Sequence, residues 1–172
     1  AITENPNLGV RDLGIDLNRL DEYPSNVRAW ANRLVGSDQS FAIDHLELLE
    51  RGSQDPALEA REGLAIGIKY CCFDGIEEFT VQWLNDEGDQ EVRAYIVDHM
   101  ASNAHKTPTY RRLVELEYTD SAATAATRRR IEAMCAGTPV YRELRRLAVQ
   151  EQMGSLGLGG PVIQIGHMEV NV

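Results

Sequence analysis

The stretch 107–150, TPTYRRLVELEYTDSAATAATRRRIEAMCAGTPVYRELRRLAVQ, decides the fold class. Thr107-Pro108 is a helix start: the Thr hydroxyl can accept a free N–H of the first turn, and Pro at the first helical position loses no hydrogen bond. The helix it opens is expected to reach about Tyr118. Residues 120–136 are Ala-rich and read as a second helix, stopped at Gly137. Thr138-Pro139 repeats the start signal, and Val140, Leu144, Leu147 and Ala148 fall on one face of a third helix. A mainly α chain follows from three such helices in succession.

Working toward the N-terminus, the period changes at 79–96. Thr80-Val81-Gln82-Trp83 and Glu91-Val92-Arg93-Ala94-Tyr95 flank Asn85-Asp86-Glu87-Gly88-Asp89, which predicts one short β-hairpin, with a helix over 90–101 as the competing reading. Before it, three more helices are expected. Ser25 is a candidate cap for Val27, Trp30, Ala31 and Leu34, with Gly36 as the stop. Phe41, Ile43, Leu46 and Leu49 mark a helix over 40–51. Asp55-Pro56 opens one that runs through Leu58, Leu64, Ala65, Ile68 and Cys72 to about Phe73. Within it Gly63 and Gly67 lie four apart, a spacing that admits close approach of another helix.

Residues 1–24 are punctuated by Pro6, Gly9, Gly14 and Pro24, with Leu8, Val10, Leu13, Ile15, Leu17 and Leu20 at near-alternate positions. They predict an extended arm that docks either on a neighbouring subunit or on its own domain. The tail beyond residue 150 carries GSLGLGGP and then an alternating PVIQIGHMEVNV, suited to edge pairing. The expected organisation is an arm at 1–24, a helical core at 25–150 and a tail at 151–172.

The 172 residues are 43% hydrophobic and 26% charged, which is globular composition, and aromatics are only 6%. No apolar run approaches the length of a membrane span. The opening AITENPNLGV lacks the pattern of a signal peptide. Three cysteines, two of them adjacent, make a poor disulfide framework and favour a reducing compartment. The net charge of −10 is unevenly spread. Residues 1–105 carry 8 basic and 20 acidic side chains, whereas 106–150 carry 9 basic and 5 acidic, a local net of +4. A cationic surface can therefore form in the second part of an acidic protein.

Enzyme signatures are absent. His45, His99, His105 and His167 have no metal-ligand spacing, and neither a nucleophile-elbow motif nor a phosphate-binding loop of the nucleotide-hydrolase type occurs. Asp86, Glu87 and Asp89 lack the calcium-loop pattern and read as a solvated turn. Cys71-Cys72 ends an apolar helix and reads as inert thiols. No cofactor and no metal are expected. The arginines carry more information. Arg111-Arg112 occupy the first turn of the Thr107-Pro108 helix, Arg128-Arg129-Arg130 follow the Ala-rich stretch, and Arg142, Arg145 and Arg146 share the last helix. A guanidinium fork suits phosphate, and a helix N-terminus adds its own positive end. Salt bridges to Glu115, Glu117, Glu132 and Glu143 are the competing use of these side chains.

Three stretches resemble the core of potyvirus-type coat proteins, the subunits of flexuous filamentous plant viruses. Ile68-Lys69-Tyr70-Cys71-Cys72-Phe73-Asp74-Gly75 leading to Trp83 is similar to an apolar helix with Trp-Cys, an acidic-Asn-Gly turn and a Trp. Asn85-Asp86-Glu87-Gly88-Asp89-Gln90-Glu91-Val92 and Tyr95 resemble an Asp-Gly-x-Glu-Gln-Val-x-Tyr strand pair. Asn103-Ala104-x-x-x-Pro108-Thr109-x-Arg111 resembles Asn-Ala-x-Pro-Thr-x-Arg. Farther on, Thr138-Pro139-Val140 with Glu143, and Gly157-Leu158-Gly159-Gly160, echo a Thr-Pro-Val helix and a Gly-Leu-Asp-Gly segment. The resemblance implies a helical core, an N-terminal arm on the adjacent subunit, a tail near the filament interior and a groove for single-stranded RNA. It implies a Ser, an Arg and an Asp in that groove. Arg111 matches the Arg, the Ser falls near Glu77 with Thr80 as stand-in, and the Asp falls near Glu132 across a two-residue gap.

The resulting expectation is a coat subunit, not an enzyme, that polymerises helically around single-stranded RNA, found in the virion and the host cytoplasm. Arg111 leads the RNA-contact set, followed by Arg112 and by Arg128, Arg129 and Arg130, with Arg145 after them; Thr80 and Glu132 complete it. The rival expectation is a cytosolic helical adaptor for a protein partner.

Overall fold

The computed structural model describes Val10 and residues 14–155, and its centre is a helix over Gln90–Asn103. In chain order α1 is Ser25–Ser37, α2 Gln39–Asp44, α3 Leu46–Ser53, α4 Leu58–Gly67, α5 Ile76–Asp86, α6 Gln90–Asn103, α7 Pro108–Thr119, α8 Ala125–Cys135 and α9 Pro139–Ser155. Short 3-10 helices cover Leu17–Glu22 and Ile68–Tyr70. The mainly α class holds. The expected hairpin at 79–96 does not form, and the described residues contain no strand.

The reason lies in burial. Ile76, Phe79, Thr80, Trp83 and Leu84 on α5, and Val92, Ile96, Met100 and Asn103 on α6, are buried at helical spacing. That 3.6-residue period overrides the local β propensity of Thr80, Val81, Val92 and Tyr95. Asp89 starts α6, its carboxylate accepting the N–H groups of Glu91 and Val92 at 2.8 and 3.1 Å. In the link between α5 and α6, Asp86 and Gly88 are exposed as expected of a solvated turn, but Glu87 is not. Glu87 is 8% exposed and accepts from Arg61, from the Trp83 indole N–H and from the Asp89 N–H.

Other boundaries also differ from expectation, and α8 begins at Ala125 instead of 120. Pro24 precedes α1, and Ser25 makes no capping bond there. The helix expected over 40–51 breaks at His45 into α2 and α3. Asp55 does not cap α4; its carboxylate accepts the Ala57 N–H at 2.9 Å and pairs with Arg28 at 2.7 Å. The helix that follows gives way at Ile68 to a 3-10 turn and ends at Tyr70, short of Phe73.

α1 lies along α4 at close range, and glycine makes this possible. An added Cβ on Gly63 would meet the Ala29 carbonyl oxygen at 2.2 Å, and one on Gly67 the Arg33 carbonyl oxygen at 2.4 Å. The two glycines four apart are the seam of the pair. Asn32, buried in the same seam, donates to the Ala60 carbonyl at 3.0 Å.

Within the expected arm, Leu17–Glu22 is helical and sits on its own core. Leu20 is buried, and Arg51 donates to the Leu17 and Asn18 carbonyls. Residues 1–9 and 11–13 of the arm lie outside the described residues, as does the tail beyond Ser155. Residues 151–155 continue α9.

Candidate nucleic-acid interface

The cationic part of the chain forms one packed unit, α7–α8–α9, seated on α6 through Ile131, Cys135, Tyr110 and Val114. Side-chain contacts fix the helix directions. Arg111 in the first turn of α7 faces Glu143 in the first turns of α9 at 3.9 Å. Tyr118, at the far end of α7, and Arg145 both reach the same Glu132 carboxylate oxygen, at 2.6 and 3.3 Å. Arg128, early in α8, reaches Glu151, late in α9. Hence α7 and α9 run parallel with α8 antiparallel between their contacts. The two Thr-Pro helix starts lie at the same end.

That end brings Arg111, Arg112 and two helix N-termini together, with the carboxylates of Glu143, Glu77 and Glu78 beside them. Helix N-termini carry free N–H groups and a partial positive charge, and here two of them are neighbours. Thr107 accepts the Tyr110 N–H at 3.1 Å and the Arg111 N–H bonds the Thr107 carbonyl, so with Pro108 lacking a donor only the Thr109 N–H of the first turn of α7 is open. Arg111 is 43% exposed, yet its Nε is buried and has no hydrogen-bond partner among the described residues. Arg112 beside it, and Arg142 and Arg146 on α9, are exposed and have no ion pair or hydrogen bond there.

The remaining expected contacts divide sharply. Arg129 is exposed; its Nε donates to the Ala125 carbonyl at 3.1 Å and the rest of the guanidinium faces solvent. Arg128 lies against the Tyr118 ring at 5.8 Å and pairs with Glu151, so it bridges helices. Arg130 is held on both prongs by Asp98 at 2.8 Å and stacks over the Tyr95 ring at 4.7 Å. Asp98 is 8% exposed at its side chain, which makes this a structural tie from α8 to α6. Glu132 accepts from Tyr118 and Arg145 and closes a second tie.

Thr80 is fully buried, and its hydroxyl meets that of Tyr110 at 2.7 Å. It therefore has no surface to offer a groove. Tyr110 in turn meets His99 Nε2 at 3.0 Å, while His99 Nδ1 donates to the Ile68 carbonyl at 2.8 Å. A carbonyl can only accept, so Nδ1 carries the proton and Nε2 can accept from Tyr110; the Thr80 hydroxyl also lies 2.8 Å from the Ile76 carbonyl, and either hydroxyl can be the donor between Thr80 and Tyr110. Burial holds this imidazole down at about 4, so it is neutral.

A second concave feature has no counterpart in the sequence reading. A cleft of about 740 Å³ opens between α3, α5 and the link before α6. Leu46, Phe79 and Trp83 form its apolar wall, and Glu50, Glu78 and Asp86 line its mouth. Its lining comes from segments 46–61 and 75–88, which only the fold brings together. Burial would raise the Glu87 carboxyl at its back, but the hydrogen bonds from Arg61, Asp89 and Trp83 outweigh it and hold the group below its ordinary value.

Among the described residues no helix is long and apolar enough to cross a membrane, and no group of acidic, His or Cys side chains could hold a metal ion. Comparison with protein families, curated proteins and solved structures finds no match to this chain.

Proposed function

We propose that this chain is a coat subunit that assembles into a filament around single-stranded RNA. The observation that carries the reading is the shared N-terminal end of α7 and α9. There the part-exposed Arg111, whose Nε faces Glu143 only at 3.9 Å, the exposed guanidinium of Arg112 and two parallel helix starts lie together. Phosphate suits the exposed guanidinium of Arg112 and an open helix start together, since it accepts forked guanidinium bonds and first-turn N–H groups alike. Packaging without sequence preference needs backbone contacts of this kind and little base readout. The sequence resemblance to the flexuous coat proteins points the same way, with Arg111 at the matching position.

Arg129 lies on the solvent face of α8 and is a supplementary contact. Arg128, Arg130 and Glu132 hold the three helices in place, and Thr80 sits in the core beneath α7. These four support the surface from behind.

Electron microscopy of the purified protein, with and without added single-stranded RNA, tests the reading. Filaments that protect RNA from nuclease are expected. Dispersed particles that bind no RNA would sink it and return the adaptor reading.

A further inference from the structure

We infer that the acidic cleft between α3 and α5 receives the outer face of α9 from a second copy of this chain, giving a head-to-tail contact. The inference rests on the self-association part of the reading above and is independent of its RNA part. Two surfaces suggest it. On α9, Arg142, Arg146, Val149 and Met153 follow at helical spacing along one stripe about 16 Å long. Val149 is 51% and Met153 47% exposed, and neither arginine has a partner among the described residues. The stripe is thus cationic at one end and apolar at the other.

The cleft is its complement. Among the described residues Glu50 and Glu78 form no ion pair, and Asp86 accepts from Gln82 at 2.7 Å. Behind these carboxylates stands the wall of Leu46, Phe79 and Trp83. Arginine stems can lie along that wall while their guanidinium groups meet the carboxylates. Charge complementarity selects this occupant, because the same polypeptide places its acidic excess in 1–105 and its basic excess in 106–150. Cleft and stripe are different surfaces of one molecule, so the contact is heterologous. It repeats from copy to copy and generates an open filament unless a rotation closes it.

The test uses two variants of the full chain. In Glu50→Lys/Glu78→Lys the cleft repels arginine, and in Arg146→Ala/Val149→Ala/Met153→Ala the stripe is cut back. All five positions are on the surface, and circular dichroism checks that each variant is folded. Sedimentation velocity at low salt, without RNA, is expected to show large species for the parent and monomers for each variant. An equimolar mixture retains one intact cleft and one intact stripe, so a one-to-one dimer that grows no further is expected. A monomeric parent, variants that assemble like the parent, or a mixture without dimers would each overturn the inference. So would assembly that survives both variants but disappears when residues 1–13 are deleted, since the arm would then be the connector. RNA affinity of the cleft variant, expected within about threefold of the parent, keeps the two ideas separate. Loss of self-docking with RNA binding intact overturns the cleft assignment alone.

Discussion

The carbonyl oxygen of Ala29 lies where a side chain on Gly63 would have to go, 2.2 Å from an ideal Cβ. The obstruction is backbone, so no rotamer change relieves it. Gly63→Ala is expected to push α1 from α4 and cost about 3 kcal/mol or more, at the upper end for overpacking. Denaturant unfolding followed by circular dichroism measures this. A midpoint within error of the parent would show that α1 and α4 are not in this contact in solution.

Protonation of His99 opposes folding. Its folded pKa is depressed from 6.5 to about 4, with burial as the main cause. Between these values the unfolded chain binds the extra proton and the folded chain does not. The contribution is therefore complete above about pH 6.5 and declines as pH falls toward 4, by about 3 kcal/mol in all. Asp55 and Glu87, whose carboxyls are held low by their arginine and N–H donors despite burial, lose their contribution as pH falls below the ordinary values of 3.8 and 4.5, so Glu87 adds only at the acid edge of this window. Stability against pH should thus fall between 6.5 and 4 in the parent and stay flatter there in His99→Gln. Identical slopes would refute the assignment.

The pair Arg130–Asp98 should behave as a strut. Arg130→Ala leaves the Asp98 carboxylate with 8% side-chain exposure and no cation, so a loss of about 1–3 kcal/mol is expected. RNA affinity, measured at a temperature where the variant stays folded, should change little. A large affinity loss with parent-like stability would make Arg130 a direct RNA contact.

Arg111→Ala should show the opposite profile. Stability is expected to change by less than about 1 kcal/mol, since Glu143 lies 3.9 Å away and the pair is partly exposed. Affinity for single-stranded RNA should fall about tenfold or more, in keeping with one charged hydrogen bond, and its salt dependence should become shallower. Binding isotherms at several salt concentrations decide the matter. An unchanged slope and affinity would leave Arg111 a structural arginine.

The thiols should sort by depth. Burial pushes Cys71 and Cys135 up to about 11, and Cys71 also donates to the Gly36 carbonyl at 2.9 Å. Cys72, next in the chain, is only half-buried. Under native conditions at pH 8 a thiol reagent should modify Cys72 first, and the other two only on unfolding, which intact-mass analysis counts directly. Rapid labelling at three sites in the folded protein would contradict the packing.

The α7 to α9 unit was readable because Thr-Pro starts and Gly137 act locally. Thr107 does cap α7, and Gly137 turns at φ +79° between α8 and α9. Gly63 and Gly67 were readable for the same reason: their spacing alone places them on one side of a helix. The α5–α6 segment reads as strands in sequence because its β-branched and aromatic residues suggest them until their burial partners are known. Thr80 faces Tyr110, thirty residues on, and Glu87 faces Arg61, which no local pattern reveals. For the site, the clustering of arginines was legible, but not their division. Whether an arginine is a strut or a contact depends on the carboxylate opposite, and Asp98 lies far from Arg130 in sequence. The cleft left no trace for a similar reason.

Trp83 stands on the wall of that cleft, 4% exposed, with its ring tilted against Phe79 at 5.6 Å and its N–H directed to Glu87. Trp30, the other tryptophan, is half-buried on α1 beneath the Arg33 guanidinium. The two indoles therefore emit from unlike surroundings, one dry and one partly wet. Arrival of a charged group at the cleft alters the colour and quenching of one emitter while the other serves as an internal reference. The molecule thus carries an intrinsic optical gauge of cleft occupancy, and Trp30→Phe isolates its signal without touching the cleft.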